Sequence, residues 1–215
     1  MPGTSSVTPR KRPRQARSRE TVSAILEATA HILEAEGLDA ANTNAIAARA
    51  GVSIGSLYQY FPDKAAIFAE LIRQAEAALG DTLEHLLRET TGQPLEERLG
   101  ELVRAGVAQQ LARPQLARIL DYLEAASPAD AALSAAEARI LGVIAGFLQE
   151  HAAAIARPAT PATALDVLSI VKGMVDGASF AGETDATALE GRVSLAVLGY
   201  LTHTVSPRPA RLGRR

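Results

Sequence analysis

The sequence predicts an all-α protein of about nine helices, a small three-helix domain followed by a larger helical one. Three observations carry that prediction. Hydrophobic residues make up 47% of the chain and aromatics only 4%, with alanine and leucine supplying most of the apolar content. These are helix formers, whereas the β-branched and aromatic residues that favour sheets are scarce. Apolar residues also recur at helical spacing in one segment after another. Between the segments stand start and stop signals, with Ser, Thr or Asp before a run and Gly or Pro after it.

In chain order, the first helix is expected over 19–36, where Val22, Ile25, Leu26, Thr29, Ile32 and Leu33 share one face. Gly37 ends it, because glycine accepts the left-handed conformation of a helix stop, and Leu38 is expected to turn back into the core. Two short helices follow over 44–50 and 54–60, with Thr43 and Ser53 placed as N-caps. Phe61-Pro62 breaks the second of them. Asp63 then caps a helix running from Lys64 to about Leu87.

Gly92 and Pro94 separate that helix from the next, over 95–112, and Pro114 opens a shorter one to about Ala126. Ser127-Pro128 places a cap before a first-turn proline and opens a helix to about Ala156; Thr160-Pro161 repeats the signature for a helix to about Ala181. Asp185 opens the last helix, ending near Val205. No strand enters this reading.

Charge is unevenly placed. The net charge is −2, yet Arg10, Lys11, Arg12, Arg14, Arg17 and Arg19 stand near the front against Glu20 alone. A basic end on a mildly acidic body points to a polyanion at that end. Residues 1–16, rich in Pro, Ser and Arg without apolar periodicity, are expected to be a flexible basic arm, and 206–215 a disordered basic tail. The division into domains is expected near residue 63, giving 17–63 and 64–205.

There is no cysteine, which excludes disulfides, thiol catalysis and zinc–thiolate sites and fits a reducing cytoplasm. No apolar stretch approaches a membrane span, and no apolar run follows the basic N-terminus as a secretory signal requires. Paired histidines at metal spacing, a phosphate-cradling glycine loop and a Ser/His/Asp arrangement are all missing, and His31, His85, His151 and His203 stand singly on helical segments. An enzyme is therefore not expected, nor a metal or cofactor.

The informative stretch runs from Thr43 to Phe61. Two short helices that cross steeply need a small residue where their backbones meet, and Ala47 supplies it. They need a turn residue with positive φ, and Gly51 follows four positions later. Ile46, Val52 and Leu57 supply the apolar contacts across the pair. This small–Gly–apolar spacing is that of a DNA-binding helix-turn-helix, whose second helix enters the major groove. With Leu57 and Phe61 turned inward, the outward face of that helix holds Ser53, Gly55, Ser56, Tyr58, Gln59 and Tyr60, with Ile54 at its start. Gln can pair with adenine edges and hydroxyls with base edges or phosphates. Gly55 lets backbone approach the duplex, and Lys64 sits at a helix N-terminus suited to a phosphate.

Residues 19–72 closely resemble the DNA-binding domain of the tetracycline-repressor (TetR) family. The resemblance rests on Ala45-Ile-Ala-Ala-Arg-Ala-Gly-Val-Ser53 and Gly55-Ser-Leu-Tyr-Gln-Tyr-Phe-Pro-Asp-Lys64. It implies that Thr43, Ser56, Tyr58, Tyr60 and Lys64 contact DNA, several of them through phosphates. It also implies a C-terminal domain of helices four to nine whose last two helices form a dimer bundle.

Those two helices, about 162–181 and 186–205, are apolar on nearly all sides. Leu165, Val167, Leu168, Ile170, Val171, Met174, Val175, Ala178 and Phe180 lie on one, and Leu189, Val193, Leu195, Val197, Leu198, Tyr200 and Leu201 on the other. Such helices need cover all round, from a second copy across a two-fold axis or from burial within one subunit, and the resemblance favours the second copy. A small-molecule effector is expected between helices of this domain, with Arg104, Gln110, Tyr122, Phe147, His151 and Asp176 as candidate lining residues. The reading is thus a one-component, cytoplasmic, nucleoid-associated repressor that binds a palindromic double-stranded operator as a homodimer and is released by its effector. An activator of the same fold and a sequence-nonspecific architectural DNA-binding protein are the alternatives.

Overall fold

The computed structural model describes residues 12–126 and 135–203, with side chains from residue 18 onward. Among the described residues there are nine helices and no strand: α1 (Arg12–Glu36), α2 (Thr43–Ala50), α3 (Ile54–Tyr60), α4 (Lys64–Glu89), α5 (Leu95–Ala112), α6 (Pro114–Ala126), α7 (Ala135–Glu150), α8 (Pro161–Phe180) and α9 (Ala186–Thr202). The chain forms two compact units. The described residues of 1–74 and 119–127 make up one, and those of 75–118 and 128–215 the other. The division falls inside α4, eleven residues past the expected boundary, because α4 runs on without a break.

In the first unit the expected face of α1 is the buried one. Ile25, Leu26, Thr29, Ile32 and Leu33 are all inside, joined by Ile46, Ala47 and Leu57 from the next two helices and by Ile67 and Phe68 from α4. Thr29 satisfies its hydroxyl by donating to the Ile25 carbonyl at 2.7 Å. Leu38 is only half-buried; Ala41 takes the interior position at that turn.

Helix α1 begins at Arg12, seven residues before the expected start, so residues 12–16 belong to a helix and not to the arm. Pro13 falls in the first turn, where its missing N–H leaves no bond unmade, and Arg, Gln and Ala propagate a helix well. Residues 1–11, the Ser127-Pro128 signature and the 206–215 tail lie outside the described residues.

The second unit is built around one core shared by α5, α7, α8 and α9. Leu95, Leu99, Val103 and Val107 of α5 meet Phe147 and Leu148 of α7, Val167 and Val175 of α8, and Leu189, Val193, Val197 and Leu201 of α9. Helix α7 stops at Glu150 and not near Ala156. The alanine-rich continuation has ample helix propensity, but tertiary contacts override it. Ile155 is buried in the core, and the Ala156 amide donates to the Leu201 carbonyl at 2.8 Å. Arg157 completes the strap: its Nε donates to the Tyr200 carbonyl at 2.5 Å and its guanidinium lies 4.2 Å from the Tyr200 ring centroid. The Tyr200 hydroxyl in turn donates to Asp166 on α8, and that bond raises its pKa. Helix α8 starts as expected at Thr160-Pro161, with the Thr160 hydroxyl accepting from the Thr163 amide. Asp185 caps α9 in the same way through the Ala188 amide, and α9 ends at Thr202.

Candidate nucleic-acid interface

The helix-turn-helix is assembled by local chemistry. Asn42, not Thr43, is the N-cap of α2: its Oδ1 accepts the Ala45 amide at 3.0 Å. Asparagine is among the best N-cap residues, and capping from position 42 frees the hydroxyl of Thr43, now the first helical residue. That hydroxyl lies 3.2 Å from the Tyr58 hydroxyl on α3. Gly51 closes α2 in the left-handed conformation, φ 69°, and the Val52 amide returns to the Ala47 carbonyl at 3.0 Å. The turn is therefore set by one residue without a Cβ and one buried alanine.

Ser53 caps α3 as expected, accepting from the Ser56 amide at 3.0 Å. The Ser56 hydroxyl is 2.8 Å from that of Ser53, so Ser56 is half-buried and engaged in the cap. Leu57 is fully buried and Phe61 nearly so, which anchors one side of α3. The opposite side is solvent-facing: Ser53, Ile54, Gly55, Gln59 and Tyr60 are exposed, and Tyr58 is 50% exposed. A Cβ on Gly55 would meet only the Ser53 hydroxyl, at 3.9 Å, so nothing within the protein requires a glycine there. Tyr60 donates from its hydroxyl to Ser18 Oγ on α1 at 3.3 Å. Lys64 is exposed at the start of α4. Asp63 caps that helix through the Ala66 amide at 2.8 Å, so one of the first-turn donors is already occupied beside Lys64.

Thr43, Ser53, Tyr58 and Tyr60 are thus joined in hydroxyl pairs within the first unit. The six residues expected around an effector are spread over α5, α6, α7 and α8 or lie just beyond them. Arg104 is exposed on α5 and pairs with Glu101 at 2.7 Å and Glu190 at 3.4 Å, which raises its pKa. Tyr122 is exposed on the part of α6 that belongs to the first unit. Gln110 and Asp176 are half-buried on α5 and α8. Phe147 and His151 touch, with ring centroids 4.9 Å apart at the end of α7.

That contact belongs to a cluster not foreseen from the sequence. Arg98 is 2% exposed. Its guanidinium donates to Thr90 Oγ1 at 3.2 Å, to the Leu87 carbonyl at 2.9 Å and to Glu150 at 2.5 Å, and lies 3.1 Å from His151 Nε2. It also sits 5.6 Å from the Phe147 ring centroid. Every face of this charge is occupied, as burial of a guanidinium requires. Burial first, and the Arg98 charge second, lower the pKa of His151. The available signal was an arginine set inside the apolar stripe Leu95–Leu99–Val103. Among the described residues no cluster of His, Asp and Glu suits a metal ion, and no helix is long and apolar enough to cross a membrane.

Two family models cover most of the chain. That of bacterial regulatory proteins of the tetR family matches residues 25–71, and that of the tetracyclin repressor-like C-terminal domain matches residues 94–201. The chain belongs to the TetR family. The first TetR segment coincides with the helix-turn-helix and its supports, and the second with α5 to α9. The nucleoid occlusion factor SlmA of Vibrio vulnificus is 44% identical over 66 residues, covering 30% of this chain and 34% of that relative. This chain therefore matches about a third of that curated relative. Among solved structures, the fatty acid degradation regulator FadR of Bacillus halodurans is similar with TM-score 0.68 and 20% identity, over 86% of this chain and 97% of that one. A TetR-family regulator of Marinobacter aquaeolei VT8 is similar with TM-score 0.62 and 18% identity, over 87% and 98%. At such identities the likeness is one of fold. TetR-family proteins are DNA-binding transcription regulators, and this chain shares their N-terminal helix-turn-helix and C-terminal helical domain.

Proposed function

We propose that this TetR-family protein is a one-component repressor that binds a palindromic operator as a homodimer and leaves it when a small molecule binds. The observation that carries the reading is the two-sided character of α3. Its inner side is fixed by Leu57, with Phe61 just beyond, while Ser53, Tyr58, Gln59 and Tyr60 form a polar row open to a partner. On this reading α3 lies in the major groove. Gln59 and the hydroxyls read base edges, Gly55 and Ile54 lie against the duplex, and Thr43, Ser56 and Lys64 take phosphates.

The dimer is supported by what one chain leaves uncovered. Leu165 is 47% exposed, Phe180 63% and Leu195 72%, on the two helices that end the described chain. A Cβ placed on Gly173, Gly177, Gly191 or Gly199 would meet nothing within 4 Å. Open glycines beside exposed leucines allow helices of a second copy to approach closely, and a two-fold axis then presents two recognition helices to successive turns of one duplex face. The effector would act by binding more tightly to a dimer whose α3 helices are wrongly spaced for the operator.

The test is selection of bound sequences from a random DNA pool with the purified protein, followed by a screen for compounds that release the recovered sequence. A recovered inverted repeat and a releasing compound are expected. Equal affinity for all duplexes would leave the architectural alternative instead, and the operator's position relative to a promoter would distinguish repressor from activator.

A further inference from the structure

We infer that Ser18 is a positioning residue of the operator-binding surface, holding the Tyr60 phenol in the orientation in which it meets DNA. The inference rests on the reading of α3 as the recognition helix. Tyr60 is the last residue of α3, exposed, and its hydroxyl donates to Ser18 Oγ at 3.3 Å across 42 residues of sequence. Ser18 lies almost two turns into α1, ahead of Ile25, the first fully buried residue of that helix. No residue from 18 to 24 is buried, so this stretch of α1 is held by little apolar packing.

A hydroxyl pair in water adds little to stability, because each partner has water as an alternative. Its effect is on orientation. A free tyrosine side chain must be ordered when it binds, and ordering it beforehand removes part of that cost. Tyr58 is treated in the same way, through Thr43 on α2. The two phenols of α3 are therefore tied to two different helices, one on either side of Gln59. Because a phenol donating to Ser18 keeps its oxygen lone pairs, the bond leaves Tyr60 able to accept from a partner.

The experiment is a double-mutant cycle in the full-length protein, read by equilibrium binding to the sequence recovered from the random pool. Ser18→Ala and Tyr60→Phe should each weaken binding about threefold. The double variant should be no weaker than either single one, and Ser18→Thr should bind like the parent. Thermal midpoints of all four should stay within about 2 °C, since the pair is solvent-exposed. If the two single effects multiply in the double variant, or Ser18→Ala binds like the parent while Tyr60→Ala is impaired, Ser18 does not position Tyr60. A loss shared by Ser18→Thr would overturn the inference as well. If Tyr60→Ala itself binds normally, the fault lies with the placement of Tyr60 in the interface.

Discussion

The hydroxyls of Thr43 and Tyr58 lie 3.2 Å apart, so the first residue of α2 is bonded to the centre of α3 across the turn made by Gly51. Removing either oxygen while keeping the side-chain shape separates its role in binding from its role in folding. Tyr58→Phe and Thr43→Val should each change unfolding free energy by less than about 1 kcal/mol, because the pair is exposed. Each should weaken binding to the selected DNA sequence by about tenfold, because the orienting bond is lost together with a base-edge contact of Tyr58 or a phosphate contact of Thr43. Gel-shift titration beside urea denaturation measures the two quantities, and unchanged DNA affinity in both variants would remove the pair from the interface.

Leu195 tests the homodimer. It is the most exposed large apolar side chain in the described chain, so a charge there costs a lone subunit little. Leu195→Glu should shift the protein to monomers in sedimentation velocity and reduce operator affinity by at least about tenfold, because paired half-sites then act singly. A dimer persisting in that variant at micromolar concentration would place the subunit contact elsewhere.

Arg98 and Glu150 should respond unequally to mutation. The guanidinium is buried, whereas the Glu150 side chain is 54% exposed. Arg98→Met leaves the Leu87 carbonyl and Thr90 without their donor and should cost about 3 kcal/mol. Glu150→Gln keeps an oxygen that accepts from Arg98 but removes its counter-charge, and should cost less than Arg98→Met, about 1–2 kcal/mol. Denaturation midpoints at fixed protein concentration give both values. Equal losses would contradict the burial asymmetry.

His151 predicts a pH dependence. Its pKa is lowered in the folded protein, by burial first and by Arg98 second. The unfolded chain then binds the proton more readily, and stability rises with pH between the two values. The imidazole's contribution is therefore complete above its ordinary pKa, near 6.5. It is lost progressively as pH falls through the folded value. His151→Asn should flatten the stability curve between pH 7 and pH 5 relative to the parent. Carboxylates with lowered values, such as Glu70 held by Arg73, act only at more acidic pH. An unaltered slope would show that His151 does not titrate differently on folding.

Much of this was legible before any coordinates. Helix α3 has the expected limits, Ser53 caps it, Gly51 and Gly37 take positive φ, and Thr160-Pro161 starts α8. These signals are local, so a single sequence carries them. The differences arise where two local signals compete or a distant group intervenes. Asn42 outcompetes Thr43 as the cap, which leaves Thr43 free for Tyr58. Residues 151–156 could prolong α7, but the Leu201 carbonyl claims the Ala156 amide. Arg98 reads as an interruption of an apolar stripe until the ends of α4 and α7 close around it. An effector lining is a property of packing, and no short-range pattern encodes it.

None of the seven residues of α3 is charged. On the repressor reading, the cationic part of the contact must come from outside that helix, from residues such as Lys64, Arg49 and the arginines ahead of Glu20. Counterion displacement and base discrimination are then handled by separate groups. Concentrating the electrolyte would loosen the protein from every duplex by a similar factor, while its ranking of one site over another stayed nearly constant.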